Sequence, residues 1–270
     1  MANIHPLATV HPGAKLAADV EVGAYAYIDD NVEIGSGCRI LPHATIFSYV
    51  KMGKDCTVFP GAVIGAIPQD LKFDGEVTWV EIGDRVNIRE CATINRGTKA
   101  SGKGVTRIAS DTLIMSYVHV AHDCTVGEHC ILVSYVGIAG ETDIEDWAII
   151  GGGTKVHQFT HIGRHAMVGG GCAVNKDIPP YSLCGRTPLS YAGVNLVGLR
   201  RRGFDSDTIR EIKDIYDMLY YQGYNFSDAI ARIDAGFADS EEKSVILDFI
   251  RNSKRGICRA ADPHEKGSIE

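Results

Sequence analysis

The dipeptide His122-Asp123 places an imidazole beside a carboxylate, the two groups that a general base and its orienting partner require. An imidazole takes up a proton near neutral pH, and an adjacent carboxylate can fix its tautomer and stabilise the imidazolium that forms. His119 lies shortly before this pair, and His157-Gln158 is a second histidine with a polar neighbour. These residues favour acid–base chemistry, although two exposed polar residues on an outer surface would have the same spacing.

A zinc site is an alternative use of the same histidines. His119 and His122 could bind the metal together with a third histidine from a neighbouring subunit, as in β-helical zinc enzymes. The cysteines add no ligand set, because most of them recur in one interior position of the repeat described below; these are Cys38, Cys56, Cys124, Cys130 and Cys172. We therefore predict no metal, and the absence of a GxxxxGK[ST] loop gives no reason to expect a nucleoside triphosphate site.

A six-residue repeat must position these groups. Every sixth residue is Ile, Val, Leu or Met from Ile4 to Ile64, from Ile82 to Ile94 and from Ile108 to Val174. A period of six is neither helical nor that of a plain strand, and hexapeptide repeats are typical of parallel β-helices. Three hexads complete a coil of about 18 residues, so the repeat predicts a prism of roughly eight to nine coils.

Stacked coils bring distant residues into vertical columns. Gly140 and Gln158 are expected above His122, and Glu141 above Asp123. This clustering strengthens the functional interpretation of the pair. The tripeptide Gly169-Gly170-Gly171 falls within the repeat and is explained by close packing of coils or by a groove. The run Arg200-Arg201-Arg202 is either an anion clamp or a charged entrance to a helix.

Breaks in the repeat divide the chain. Loops are predicted at about 66–78 and 99–107, and loops that project from a rigid solenoid often form sites. The prism is expected over residues 1–180, followed by a connector at 181–204. Helical spacing predicts a C-terminal α-helical domain over 205–258 and a polar tail over 259–270, with three serines as N-caps: Ser206, Ser227 and Ser240.

Composition excludes several classes of protein. A net charge of −7 and a pI near 5.8 argue against a nucleic-acid partner. No apolar stretch reaches the length of a membrane span, and the N-terminus lacks the pattern of a signal peptide. We therefore predict a cytoplasmic protein with free thiols.

Motifs along almost the whole chain resemble the UDP-N-acetylglucosamine acyltransferases. They are Gln69-Asp-Leu-Lys72, Ile88-Arg-Glu, Asn95-Arg-Gly-Thr98, Ala121-His-Asp-Cys124, Gly151-Gly-Gly, Val156-His-Gln-Phe159, Asp177-Ile-Pro-Pro-Tyr181 and Gly193-Val-Asn through Arg201-Arg-Gly-Phe204. The resemblance implies a left-handed parallel β-helix with a C-terminal helical domain, assembled as a homotrimer. It also implies transfer of an (R)-3-hydroxyacyl group from acyl carrier protein to the 3-hydroxyl of UDP-N-acetylglucosamine, the first step of lipid A biosynthesis.

The resemblance assigns roles to matching positions. His122 is the general base, Asp123 orients it, and the backbone N–H of Gly140 binds the oxyanion. Lys72 lies near the sugar or phosphate, and Asp70 accepts a hydrogen bond from a sugar hydroxyl. The other matched positions are His119, His157 and Gln158 in the active site, Asn195, Arg201 and Arg202 at the nucleotide, and Gly170 beside the acyl chain.

Some positions depart from the family pattern. Glu141 and Asn95 stand where histidines are common, and Val197 stands where a glutamate contacts the nucleotide. Stacked above Asp123, Glu141 would repel it unless one carboxylate is protonated or turned away. Gly170 leaves room in the acyl groove, which predicts a longer hydroxyacyl chain.

Three other functions are compatible with a hexapeptide prism. One is an N-acyltransferase that acts on an amino-sugar nucleotide. The second is a trimeric zinc enzyme of the carbonic anhydrase type, and the third is a scaffold without catalysis.

Overall fold

The computed structural model describes residues 2–260, and most of that length winds into coils of three short strands. In chain order the strands are β1 Asn3–Ile4, β2 Thr9–Val10, β3 Lys15–Leu16, β4 Glu21–Val22, β5 Tyr27–Ile28, β6 Val32–Ile34, β7 Arg39–Ile40, β8 Thr45–Ile46, β9 Val50–Met52, β10 Thr57–Val58, β11 Val63–Ala66, β12 Trp79–Ile82, β13 Asn87–Ile88, β14 Thr93–Asn95, β15 Val105–Ile108, β16 Leu113–Ile114, β17 His119–Val120, β18 Thr125–Val126, β19 Ile131–Leu132, β20 Gly137–Ile138, β21 Asp143–Ile144, β22 Ile149–Ile150, β23 Lys155–Val156, β24 His161–Ile162, β25 Met167–Val168, β26 Ala173–Val174, β27 Ser182–Gly185 and β28 Ser190–Val194.

Successive strands join three different sheets in turn. Each strand therefore pairs with the strands one coil before and one coil after it, as the repeat predicts. The sheets have 11, nine and eight strands, in the orders β1-β4-β7-β10-β13-β16-β19-β22-β25-β27-β28, β2-β5-β8-β11-β14-β17-β20-β23-β26 and β24-β21-β18-β15-β12-β9-β6-β3. Pairing in the described ladders is parallel except between β27 and β28, which are antiparallel.

The repeated aliphatic residues fill the interior of the prism. Ile28, Ile46, Ile64 and Ile94 have no exposed surface, and burying such a side chain contributes about 1.5–3 kcal/mol relative to leaving it in water. At the open end, Ile4 remains 42% exposed because no coil covers it. The five cysteines assigned to the interior are all buried, as predicted.

Two loops leave the prism. The chain forms no strand between β11 and β12, which leaves residues 67–78 as the first loop. The second loop runs over 96–104, three residues earlier than predicted, because β14 ends at Asn95 and Val105–Arg107 belong to β15, where they pair with Trp79–Glu81 of β12. We call these segments the first loop and the second loop below.

The segment at 181–204, predicted as a connector, contains regular structure. Its strands β27 and β28 extend the first sheet, and helix α1 follows at Leu196–Arg201. The later helices are α2 at Ser206–Tyr221, α3 at Phe226–Gly236 and α4 at Glu241–Asn252. No helix within residues 2–260 is both long and apolar enough to cross a membrane.

Two of the three predicted N-caps are wrong. Asp205 caps α2 and Asn225 caps α3, whereas Ser240 caps α4 as predicted. At the predicted tail, Tyr191 N–H donates to the Arg259 carbonyl, and Ala260 forms a bridge with Tyr191. Residues 261–270 lie outside the described residues.

Candidate active site

His122 follows β17 at a corner of the prism, where the chain turns from the second sheet toward the third. Its neighbour Asp123 adopts a left-handed backbone conformation (φ 59°), which forms the turn and directs the carboxylate inward. His122 Nδ1 lies 2.9 Å from Asp123 Oδ2. An ionised carboxylate accepts from Nδ1–H, so Nε2 is left without a proton and is free to act as a base.

Asp123 has no exposed surface, and the second loop supplies its other partners. Thr98 donates from its backbone N–H to Oδ1 at 2.9 Å and from its hydroxyl to Oδ2 at 2.7 Å. Burial alone would raise the pKa of Asp123, but the hydrogen bonds from His122 and Thr98 outweigh burial and hold that pKa below its usual value. The carboxylate is therefore ionised when it orients the imidazole.

The pKa of His122 is raised above its usual value. The largest cause is the hydrogen bond to Asp123, and the negative charges of Asp123, Asp70 and Glu141 add to it while burial opposes it. Asp70 Oδ2 lies 3.7 Å from His122 Nε2, on the opposite side of the ring from Asp123. The imidazolium that forms on proton uptake is thus stabilised from both sides.

Gly140 lies directly against the imidazole, one coil above it, as the repeat predicts. A Cβ at this position would be 2.5 Å from both Cε1 and Nε2 of His122, so only glycine leaves the ring its present place. Within residues 2–260, no hydrogen bond from the Gly140 backbone N–H is found, whereas its carbonyl accepts from Phe159 N–H. The free N–H is available to a ligand in the cavity that Gly140 and His122 both line.

A cavity of about 370 Å³ opens beside these groups, lined among others by Gln69, Asn95, His119, His122, Gly140 and Lys155. His119 Nδ1 lies 2.7 Å from Thr93 Oγ1. Burial is the largest cause that lowers the pKa of His119, and the positive charges of Lys155 and His122 lower it further. His119 therefore stays neutral where His122 becomes charged.

The first loop brings Asp70 to the site but directs Lys72 elsewhere. The Lys72 backbone N–H donates to Asp70 Oδ1 at 3.0 Å, which fixes the turn. Lys72 itself is exposed and lines a separate depression together with Asp74, Glu76 and Lys99.

His157, Gln158 and Glu141 lie above the imidazole but do not line its cavity. His157 and Gln158 are exposed, and the His157 Nδ1 is 3.0 Å from the Gln158 carbonyl oxygen. Glu141 lines a different cavity, with Ser101 and Lys103 among its neighbours. The expected conflict between the stacked carboxylates is avoided because Asp123 turns inward to the second loop.

Gly170 is exposed at another corner of the prism, above Gly152. A Cβ added there would lie 3.1 Å from the Gly152 carbonyl oxygen, and Gly171 beside it has open space. Consecutive glycines in two neighbouring coils therefore leave this corner of the prism without side chains.

The proposed nucleotide residues lie at the C-terminal end of the prism and line no part of the His122 cavity. Asn195 caps α1 through Gly198 N–H and donates to the His165 carbonyl. Arg202 donates to the Trp147 carbonyl at 3.0 Å and lies over the Trp147 ring. Arg201 is exposed.

Sequence reasoning did not single out Lys155 or the side chain of Thr98. Lys155 had a detectable signal, since it stands two coils above His119 in the same column, with Gly137 between them. The repeat gave no signal for Thr98, which lies beyond its break, although Thr98 ends the family motif Asn95-Arg-Gly-Thr98. Within the described part of the chain, no group of three or more His, Cys, Asp or Glu side chains is arranged to hold a metal.

Family models match two parts of the chain. The model described as bacterial transferase hexapeptide (six repeats) matches residues 13–48 and 106–140. The model described as UDP N-acetylglucosamine O-acyltransferase, domain 2, matches residues 177–258.

Individual proteins match over nearly the full length. An acyl-[acyl-carrier-protein]–UDP-N-acetylglucosamine O-acyltransferase from Saccharophagus degradans is 45% identical over 96% of this chain and 100% of its own. A protein of the same name from a Sulfurihydrogenibium species is 48% identical over 97% of this chain and 96% of its own. The solved UDP-N-acetylglucosamine acyltransferase of Bacteroides fragilis has a TM-score of 0.93 and 49% identity, and covers 95% of this chain and 100% of its own. The fold is accordingly a left-handed parallel β-helix with a C-terminal helical domain.

Proposed function

The chain belongs to the UDP-N-acetylglucosamine O-acyltransferases, and we propose that His122 is the general base of its acyl transfer. The enzyme transfers an (R)-3-hydroxyacyl group from acyl carrier protein to the 3-hydroxyl of UDP-N-acetylglucosamine, which is the first step of lipid A biosynthesis. The observation that supports the base assignment is the arrangement around its ring: Nδ1 is held by buried Asp123, and Gly140 packs against Nε2 in the cavity that both residues line.

The first step combines proton transfer with nucleophilic attack. A sugar hydroxyl is a weak nucleophile, and His122 Nε2 removes its proton as the oxygen attacks the thioester carbonyl carbon. The ionised Asp123 and the nearby Asp70 stabilise the imidazolium. Because proton transfer and attack occur together, no free alkoxide has to form.

The tetrahedral intermediate carries its negative charge on the former carbonyl oxygen. The Gly140 N–H donates to this oxyanion, a contact that is typically worth about 10²–10³ in kcat. When the carbon–sulfur bond breaks, the imidazolium returns its proton to the departing thiolate of the carrier. The products are the sugar ester and the free carrier thiol, and His122 is neutral again.

The remaining assignments follow the family resemblance and stay proposals. Asp70 accepts a hydrogen bond from a sugar hydroxyl, and Lys72 contacts the sugar or its phosphate. His119 is neutral and forms hydrogen bonds with the acceptor sugar. The nucleotide is bound at the C-terminal end of the prism and the acyl chain beside Gly170. Further substrate contacts are proposed for His157, Gln158, Glu141, Asn195, Arg201 and Arg202.

We propose a homotrimer as the working assembly. In one chain, Asn195, Arg201 and Arg202 do not line the cavity of His122, so a neighbouring subunit is needed to bring the two regions to one substrate. A groove between subunits would also enclose the acyl chain. Light scattering coupled to size-exclusion chromatography tests this, and a monomer of full activity would contradict it. A cytoplasmic location remains a prediction.

The decisive experiment compares the wild type with His122→Ala. Transfer from 3-hydroxyacyl carrier protein to UDP-N-acetylglucosamine should fall by about 10²–10⁴ in kcat, while the assembly persists. A variant that keeps its activity would refute the base assignment. Wild-type preference for the 3-amino analogue of the sugar in direct competition would refute the hydroxyl acceptor.

A further inference from the structure

Arg96 is a buried cation that makes no close ion pair with any described residue. It is 8% exposed, its Nε makes no hydrogen bond, and no carboxylate in the described residues lies within ion-pair distance of its guanidinium. Burial lowers the pKa of Arg96, which marks the cost of keeping the charge there. Such a residue needs a compensating interaction.

The direct contacts come from two aromatic rings, and the more distant carboxylate of Glu76 in the first loop adds an attraction. The guanidinium carbon lies 5.0 Å from the Tyr49 ring centroid and 5.7 Å from that of Phe73. Tyr49 belongs to the prism, whereas Phe73 belongs to the first loop. A planar guanidinium can stack on both rings at once, which a lysine ammonium cannot do in the same way.

Phe73 is tied directly to Asp70. The Phe73 backbone N–H donates to the Asp70 carbonyl at 3.0 Å, and Lys72 N–H donates to the Asp70 carboxylate. These two hydrogen bonds link Phe73 and Asp70 within one turn. Whatever holds the Phe73 ring also holds Asp70 at 3.7 Å from His122 Nε2.

Few other contacts fix the middle of the first loop. Asn95 Nδ2 donates to the Ile67 carbonyl at its start, and Lys99 N–H donates to Glu76 near its end. A cavity of about 470 Å³ lies beside the loop, lined among others by Tyr49, Ile67 and Arg96, so close packing does not support this part.

We infer that Arg96 is a positioning residue for the proposed acyl transfer: by stacking between Tyr49 and Phe73 it clamps the first loop to the prism and keeps Asp70 against His122. Arg96 itself touches neither the base nor the cavity that receives the sugar. The inference rests on the proposed role of His122 for its kinetic consequence, but the clamp can be measured without substrate.

The first test is hydrogen exchange of the whole, substrate-free protein. In Arg96→Met, the amides of Lys72 and Phe73 should exchange about 10- to 30-fold faster, the loss expected for a desolvated cation–π contact. Arg96→Lys should behave like Arg96→Met, because the stack requires a planar cation. Unchanged amide exchange in Arg96→Met would overturn the clamp. Wild-type exchange rates in Arg96→Lys would also overturn it, because they would show that charge alone matters at this position.

The second test is the pH profile of kcat/KM. Release of Asp70 removes a negative charge from His122, so the acid limb of Arg96→Met should move to lower pH. In an Asp70→Asn background the same substitution should cause no further shift. If Arg96→Met still shifts the acid limb in the Asp70→Asn background, the inference is contradicted. If Arg96→Met lowers the amount of folded protein without shifting the acid limb, Arg96 has a structural role only and the inference is also wrong.

Arg89→Met is the matched control. Arg89 also lies over an aromatic ring, at 4.2 Å from Phe59, but it pairs with Glu90 and has no contact with the first loop. Arg89→Met should leave both the amide exchange of the first loop and the pH profile of kcat/KM unchanged. If His122→Ala keeps its activity while Arg96→Met still frees the loop, the proposed base is wrong and the clamp stands.

Discussion

Replacing Gly140 by alanine tests the position of the base without removing any functional group. The new Cβ would lie 2.5 Å from Cε1 and Nε2 of His122. Non-bonded carbon atoms settle at about 3.5–4.0 Å, so the imidazole must retreat by roughly 1 Å. Since Nδ1 is held 2.9 Å from buried Asp123, the ring can retreat only by distorting that hydrogen bond.

The expected cost is large for so small a change. A misplacement of about 1 Å in a catalytic group is worth about 100-fold in rate, or about 2.7 kcal/mol in the activation free energy. The backbone N–H is retained in Gly140→Ala, and Gly140 is not in the left-handed region that alanine avoids. The loss should therefore appear in kcat and come from the displaced ring.

The assay is acyl transfer from 3-hydroxyacyl carrier protein to UDP-N-acetylglucosamine, with thermal unfolding measured in parallel. Gly137→Ala is the control, since it lines the same cavity but its Cβ would meet only the flexible Lys155 side chain, at 3.1 Å. It should retain most of the activity. Full kcat in a folded Gly140→Ala enzyme would refute the placement of the base at Nε2.

Two further substitutions test the charge on the base and the acyl groove. In Asp123→Asn, the Thr98 N–H still donates to the amide oxygen, so the amide NH₂ faces His122 Nδ1 and the imidazole proton must lie on Nε2. With Nε2 protonated, kcat should fall by about 10²–10⁴. The acid limb of the rate profile should also move to lower pH, because the main cause of the raised His122 pKa is lost. An unchanged acid limb would count against this reasoning. In Gly170→Met, transfer of long hydroxyacyl chains should weaken by about fourfold for each displaced methylene while short chains are spared, and carrier proteins charged with different chain lengths measure it. Equal losses at every length, or a wild-type preference for short chains, would contradict the groove assignment.

The repeat made the prism and part of the site predictable. Because each coil advances the chain by a fixed number of residues, spacing alone placed Gly140 over His122 and Glu141 over Asp123. The same arithmetic would have found Lys155. What it could not supply is the partner of Asp123, since Thr98 lies where the period is interrupted and spacing no longer fixes direction.

The helix boundaries show a different limit. Serines were predicted as N-caps of α2 and α3, but the caps are Asp205, one residue before Ser206, and Asn225, two residues before Ser227. The side-chain oxygen of each cap accepts from the first free N–H groups of its helix. Before α4, Ser240 follows Asp239 and still forms the cap. Local sequence offers two candidates in each case, and the path of the incoming chain decides between them.

His119 and His122 line the same cavity and are close in sequence, but their surroundings shift their pKa values in opposite directions. His122 is flanked by Asp123 and Asp70, which stabilise its charged form. His119 is partly buried and lies near Lys155, and its burial, followed by the Lys155 charge, destabilises the charged form of His119. The pKa of His122 lies above the usual value of 6.5, so the neutral base is lost as pH falls through that raised value. His119 stays neutral over the same range, and its lowered pKa keeps a second cation away from the imidazolium that catalysis creates. Environments that separate two pKa values in this way distinguish a proton acceptor from a hydrogen-bonding partner. On this basis only the His122 limb should appear in the rate profile near neutral pH.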